Sequence, residues 1–209
     1  MKQIILLLLL CSLCGCKVFR QNSETVKSFN FCYKEKHTGI DTLIGVSGFY
    51  YKESDERNGV LTKEGFNTIY PVYMFFKNGF FIYNPSIELY TTHSNHENVT
   101  GNVGLYVIHG DTIKAQFVEP LYNMSWNKGE VWFKIIDSNT LEALYFKYYD
   151  SVTAKEVIDF NKTNNRKSFY KFKPLEVIPN TDKSWIMKEK WFWCNEEDYY
   201  RFKKSIKGK

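Results

Sequence analysis

The sequence predicts a mainly β protein, an antiparallel meander of about eight to ten strands forming a closed or nearly closed barrel, with one helix at the C-terminus. Three observations predict it. Aromatic residues make up 18% of the chain, with 17 Phe and 15 Tyr, and such side chains favour the pleated surface of strands. From Gly101 to Asp150 the residues alternate with period two: Ile113, Ala115 and Phe117 point one way, Lys114 and Gln116 the other. Turn-forming residues punctuate these runs at the short spacing of hairpins. A two-sheet sandwich is the other packing open to the same strands.

The chain starts with the short basic stretch Met1-Lys2-Gln3, followed by the unbroken apolar run Ile4–Leu10. That run is too short to span a bilayer comfortably and reads as the core of a signal peptide. Leu13-Cys14-Gly15-Cys16 then resembles a bacterial lipobox. The resemblance implies cleavage after Gly15 and attachment of diacylglycerol to Cys16, with N-acylation of the new terminus. It divides the chain into a signal peptide (1–15), a lipidated cysteine and tether (16–41), and a single barrel-like domain (42–209). It also implies residence in a Gram-negative cell envelope, with covalent lipid and no other cofactor. Lys17 follows the cysteine where an acidic residue retains lipoproteins at the inner membrane, so the outer membrane is expected. Val18–Asn22 lacks the acidic run that exports some lipoproteins to the surface, which favours the periplasmic face.

Strands are expected at Ile44–Lys52, Thr68–Lys77, Phe80–Tyr83, Val103–Ile108, Ile113–Val118, Val131–Ile136, Leu141–Tyr149 and Ser168–Lys173. Asn78-Gly79 predicts a type I′ hairpin. Lys155 to Lys167 reads as a polar link with a single helical turn after Ser151. Several strands are apolar on both faces, Val131-Trp132-Phe133 for example, as expected when one face lines the barrel and another element covers the other. The covering helix is placed at 195–207. Asn195 is its N-cap, Glu196, Glu197 and Asp198 fill its first turn, and Tyr199, Phe202 and Ile206 form its apolar face.

Chemistry is less legible. Cys32 and Cys194 remain once the leader is cleaved and Cys16 acylated; a bridge between them and two separate buried thiols both fit an export compartment. His93 and His96 are a metal-ligand candidate, set against an ordinary exposed loop. No nucleophile elbow or phosphate-cradling glycine loop is present. The charge of +5 is spread along the chain, without the basic module of a nucleic-acid binder. Trp126 and Trp132 either line an apolar ligand pocket or fill the core. In general plan the chain is similar to small lipocalin-like bacterial lipoproteins, with Gly48-Phe49-Tyr50 standing where lipocalins carry Gly-x-Trp. The resemblance implies a non-catalytic barrel, held at a membrane by its lipid, that binds a small apolar ligand or an envelope protein. The alternatives are an assembly accessory without a pocket and a metal-dependent hydrolase using the two histidines.

Overall fold

Strands that are apolar on both faces need a partner inside and another outside, and the fold supplies both. The computed structural model describes residues 24–34, 37–52, 61–62, 65–66, 71–92, 98–120, 125–164 and 167–207. In chain order the strands are β1 (Gly48–Tyr51), β2 (Leu61–Thr62), β3 (Gly65–Phe66), β4 (Tyr73–Phe75), β5 (Phe80–Tyr83), β6 (Asn102–His109), β7 (Thr112–Pro120), β8 (Trp126–Asp137), β9 (Thr140–Tyr148) and β10 (Ser168–Pro174). Eight of them close into an antiparallel barrel in the order β1-β10-β9-β8-β7-β6-β5-β4, while β2 and β3 form a separate hairpin. Apart from the closing pair β1 and β10, each barrel strand pairs with its neighbours along the chain, the up-and-down arrangement of lipocalin-like barrels. Closure pairs each barrel strand on both sides over at least part of its length.

The tight turns lie at one end. Asn78 and Gly79 do form a hairpin turn, but only Gly79 has positive φ (87°), whereas type I′ needs it at both central residues. The loop is Lys77-Asn78-Gly79, closed by Phe76 N–H to the Phe80 carbonyl at 3.0 Å, as in a type I turn followed by a glycine bulge. The β6–β7 turn has Gly110 at φ 62° in its first central position, where a type II′ turn requires glycine. This end is plugged by the short 3-10 turn Ile40–Thr42, whose Ile40 is fully buried, together with buried Ile44. Both pack into the inner cluster with Tyr50, Phe75, Phe81, Phe117 and Phe133. Gly129 makes room for this packing: a Cβ there would lie 2.2 Å from the Phe117 ring.

The outer wall is covered in two places. Phe49, Met74, Phe80, Ile82, Val103 and Leu105 face outward and are buried by Tyr33, Ile186, Met187, Phe192 and Trp193. That cover comes from an N-terminal strap, residues 24–34, and a C-terminal run of 3-10 turns. Cys32 and Cys194 are disulfide-bonded beside the parallel bridge Tyr33↔Trp193, with a Cα–Cα distance of 4.8 Å. So the strap and Ile40, on the tether side of residue 42, pack as part of the domain. Besides the helical turn at 24–28 in the strap, the described residues include the helices α1 (Ile87–Thr92), α2 (Ala154–Thr163) and α3 (Glu196–Lys207). The α3 cap is Asn195, whose Oδ1 accepts from Glu197 N–H at 2.9 Å, and Phe202 packs 5.2 Å from the Trp193 ring.

Beneath the strap lies a buried polar network. Lys128, Glu130 and Gln116 point outward from β7 and β8, yet are 2%, 3% and 1% exposed. Gln116 Oε1 accepts from Asn30 N–H at 2.9 Å, and its Nε2 donates to Glu130 Oε2 at 2.7 Å. Trp132 Nε1 donates to Glu130 Oε1 at 2.6 Å. Lys128 Nζ donates to the Ser28 carbonyl and to Ser151 Oγ, 3.9 Å from Glu130. Buried charges need such partners. The network therefore fixes where the strap lies.

The segment expected to be a polar link with one helical turn is the ten-residue helix α2. It forms because Thr153 and Glu156 make a capping box: Thr153 Oγ1 accepts from Glu156 N–H, and Glu156 Oε2 accepts from Thr153 N–H at 2.8 Å. Val157 then packs with Val152 on the outward-facing Trp132. Replacing Thr153 with alanine should cost about 1 kcal/mol in urea unfolding. The Glu156 carboxyl is held down to about 2, first by the Lys147 ammonium 2.7 Å away and then by Thr153. A depressed carboxylate contributes stability above its ordinary 4.5 that is lost as pH falls through about 2. The thermal midpoint over that window should therefore fall further in the wild type than in Glu156→Gln.

Candidate functional site

The end opposite the plug holds a cavity, and the strand register explains it. β10 pairs with β9 only from Thr140 to Ala143, so Leu144–Tyr148 runs on without a β10 partner. On the other side β1 meets β4 at the single pair Tyr50↔Tyr73. The wall thus splays above Ala143 and Tyr73. The resulting space is about 1040 Å³, at the top of the roughly 300–1,000 Å³ range of small-molecule pockets. Tyr73, Tyr83, Tyr170, Val131 and Phe146 line its depth, with Lys52, Pro71, Phe160, Lys167 and Ser168 round its rim.

Aromatic packing stops the cavity halfway down the barrel. Tyr73 meets Phe133 edge-on at 4.7 Å and Tyr170 at 4.9 Å, and Tyr83 stacks on Phe117 at 4.3 Å. Three phenols, Tyr73, Tyr83 and Tyr170, line this floor, Tyr73 bonded to Tyr170 and Tyr83 to the neighbouring Tyr148. Burial, then the neighbouring phenols, pushes the Tyr73 and Tyr148 hydroxyls well above the ordinary tyrosine range. Tyr73 and Tyr148 stay protonated and set hydroxyl groups against an apolar wall. Lys52 Nζ donates to Ser168 Oγ at 3.2 Å, and Lys167 lies 3.2 Å from Glu142. Two ammonium groups therefore stand at the mouth. The arrangement can hold an organic molecule with an apolar body and a polar or anionic end.

The tryptophans expected to line a pocket lie elsewhere. Trp132 is on the outer wall, bonded to Glu130, with Lys114 Nζ 3.8 Å above its ring. Trp126 sits in the outer seam, 5.5 Å from Trp185 and 5.8 Å from Trp191. Neither lines the barrel cavity. Cys16, His93 and His96 lie outside the described residues, and among the described residues no His, Cys, Asp and Glu cluster suits a metal ion. No described helix is long and apolar enough to cross a membrane.

The floor tyrosines escaped the sequence reading because β4 and β5 are apolar on both faces, leaving no polar residue to mark the inside. A usable signal was present. Tyr73 begins β4, Tyr83 ends β5, Tyr148 ends β9 and Tyr170 stands near the start of β10; in an up-and-down barrel all four positions fall at the same end. Comparison with protein-family models, curated proteins and solved structures gives no significant match.

Proposed function

We propose that the protein is a lipid-anchored, non-catalytic binding barrel of the outer envelope, whose ligand has an apolar body and enters at the open end. One observation carries the reading: a cavity of about 1040 Å³ at one end of a closed barrel whose other end is plugged by Ile40 and Ile44. The anchor reading rests on the apolar run Ile4–Leu10 and on the lipobox-like Leu13-Cys14-Gly15-Cys16. Several acyl chains hold such a protein stably at a membrane where one binds only marginally. The described cavity lining is mostly aromatic and hydrocarbon, with Lys52 and Lys167 among its few charged groups, which suits holding a molecule with an apolar body.

Native mass spectrometry of a Cys16→Ser form, isolated from its own host without detergent, tests this directly. The expected spectrum shows a bound organic mass. Ala143, small and on the cavity wall, is the position at which to block the site. Ala143→Trp should remove the adduct and weaken binding of the identified ligand at least about tenfold, as expected when a steric clash excludes a buried ligand. A wild-type spectrum with no adduct, and no binding of acyl or aromatic probes, would favour the assembly-accessory reading instead.

A further inference from the structure

We infer that the open end of the barrel faces the membrane and that the cavity takes its occupant, a bilayer amphiphile, from that same membrane. The inference deepens the proposed function and rests on Cys16 being the anchored residue.

The argument starts where the strap begins. Thr25 Oγ1 donates to the carbonyl of Trp126 at 2.8 Å. Trp126 is the first residue of β8 and pairs with Pro120, the last of β7. Tyr149, one residue past the end of β9, donates its N–H to Lys128 at 2.7 Å. Glu24, Thr25, Trp126 and Tyr149 share one depression of about 370 Å³. All of these positions belong to the end at which the cavity opens. The strap's first described residues therefore lie beside the mouth, not the plug.

Chain length makes this placement decisive. Glu24 lies eight positions after Cys16, a reach of at most about 26–29 Å fully extended. The wall is at least as tall: the twelve residues of β8 span about 40 Å, or about 30 Å of height at ordinary barrel tilt. To turn the plugged end toward the bilayer, the spacer would have to run fully extended down the whole wall. With the mouth facing the bilayer no such span is required.

The mouth end also carries side chains suited to a lipid surface. Tyr149 is 72% exposed. Tyr149 holds φ at 70°, a left-handed conformation that bulky residues rarely adopt and that is retained mainly where function requires it. Tyrosine is at home in the interface between lipid and water. Lys52 and Lys167 on the rim suit the anionic end of an amphiphile whose body enters among the phenols.

The test uses the intact lipidated protein in vesicles of phosphatidylethanolamine and phosphatidylglycerol carrying isotope-labelled acyl chains. A photo-crosslinking phenylalanine is placed at Tyr149 at the mouth, or at Leu43 or Ile136, exposed near the plug. Lipid crosslinks are expected at Tyr149 and absent from Leu43 and Ile136, and labelled amphiphile should co-purify with the barrel. Equal crosslinking at both ends, or crosslinks confined to Leu43 and Ile136, overturns the orientation. Crosslinks at the mouth with an occupant lacking the label overturn the membrane source. The mass of the anchored chain is read in the same samples, so a missing acyl modification is seen as failure of the anchor reading itself.

Discussion

Replacing Glu130 with alanine should lower the unfolding free energy by about 3–5 kcal/mol, the cost of breaking a buried ion pair from one side. The carboxylate satisfies Gln116 and Trp132 and stands 3.9 Å from Lys128. Removing it leaves a buried ammonium and two buried donors short of a partner. Domains of this kind are stable by about 5–15 kcal/mol, so the loss is a large fraction of the total. The strap should loosen first, visible as faster amide exchange at Asn30, whose N–H is bonded to Gln116. Burial already holds the Lys128 pKa below its ordinary 10.5, opposed by Glu130 and Asp150. The unfolded chain then binds the proton more tightly, so this group makes stability rise as pH climbs from its folded pKa toward 10.5. Glu130→Gln removes the first opposing charge and opens that window at lower pH. Its deficit relative to the wild type should shrink as pH climbs toward 10.5. Urea unfolding across that range measures both effects; a deficit below about 1 kcal/mol would mean that the network behaves as a solvated surface pair.

That network also shows where a sequence stops being legible. Barrel strands such as Ile113–Val118 were readable because polar and apolar residues alternate and local turns set the partners. Gln116 pointed to the outer face correctly. Nothing in the alternation says that the outer face at Gln116, Lys128 and Glu130 is buried, because the covering strap lies 86 residues from Gln116 along the chain. The same limit explains Trp126 and Trp132. Their size announces burial, but in a barrel with both faces covered it does not say which face. Helix α2 was hidden for a different reason: its stretch is polar overall and buries only Val157, so the apolar stripe is short and the Thr153–Glu156 capping box was the better signal. The C-terminal helix was legible because cap, first-turn charges and apolar face agreed. The cavity follows from where pairing ends between β9 and β10, a matter of register that no residue type encodes alone.

Replacing Cys32 and Cys194 together with serine should cost about 3–5 kcal/mol. The bridge joins residues 162 apart, and closing a loop of that length removes about 5 kcal/mol of unfolded-chain entropy in the simple polymer model, although measured values usually fall below it. The contacts it holds are all on the outer wall. Tyr33 N–H donates to the Phe192 carbonyl at 2.7 Å and Cys194 N–H to the Tyr33 carbonyl at 3.0 Å. Tyr33 stacks on Phe192 at 5.7 Å and meets Trp193 edge-on at 4.8 Å. The cavity residues Tyr73, Tyr83 and Tyr170 belong to the inner cluster on the other side of the wall. Stability should therefore fall while ligand affinity, measured where the variant remains folded, stays unchanged. Urea midpoints with and without reductant check the first part: reductant should shift the wild type and leave the serine variant alone. A parallel loss of affinity would show that the strap shapes the cavity after all. The disulfide and the Glu130 network hold the same strap, so their losses should not add. Once either clip is gone, part of the strap's contact is already lost, and the combined variant should cost less than the sum of the two.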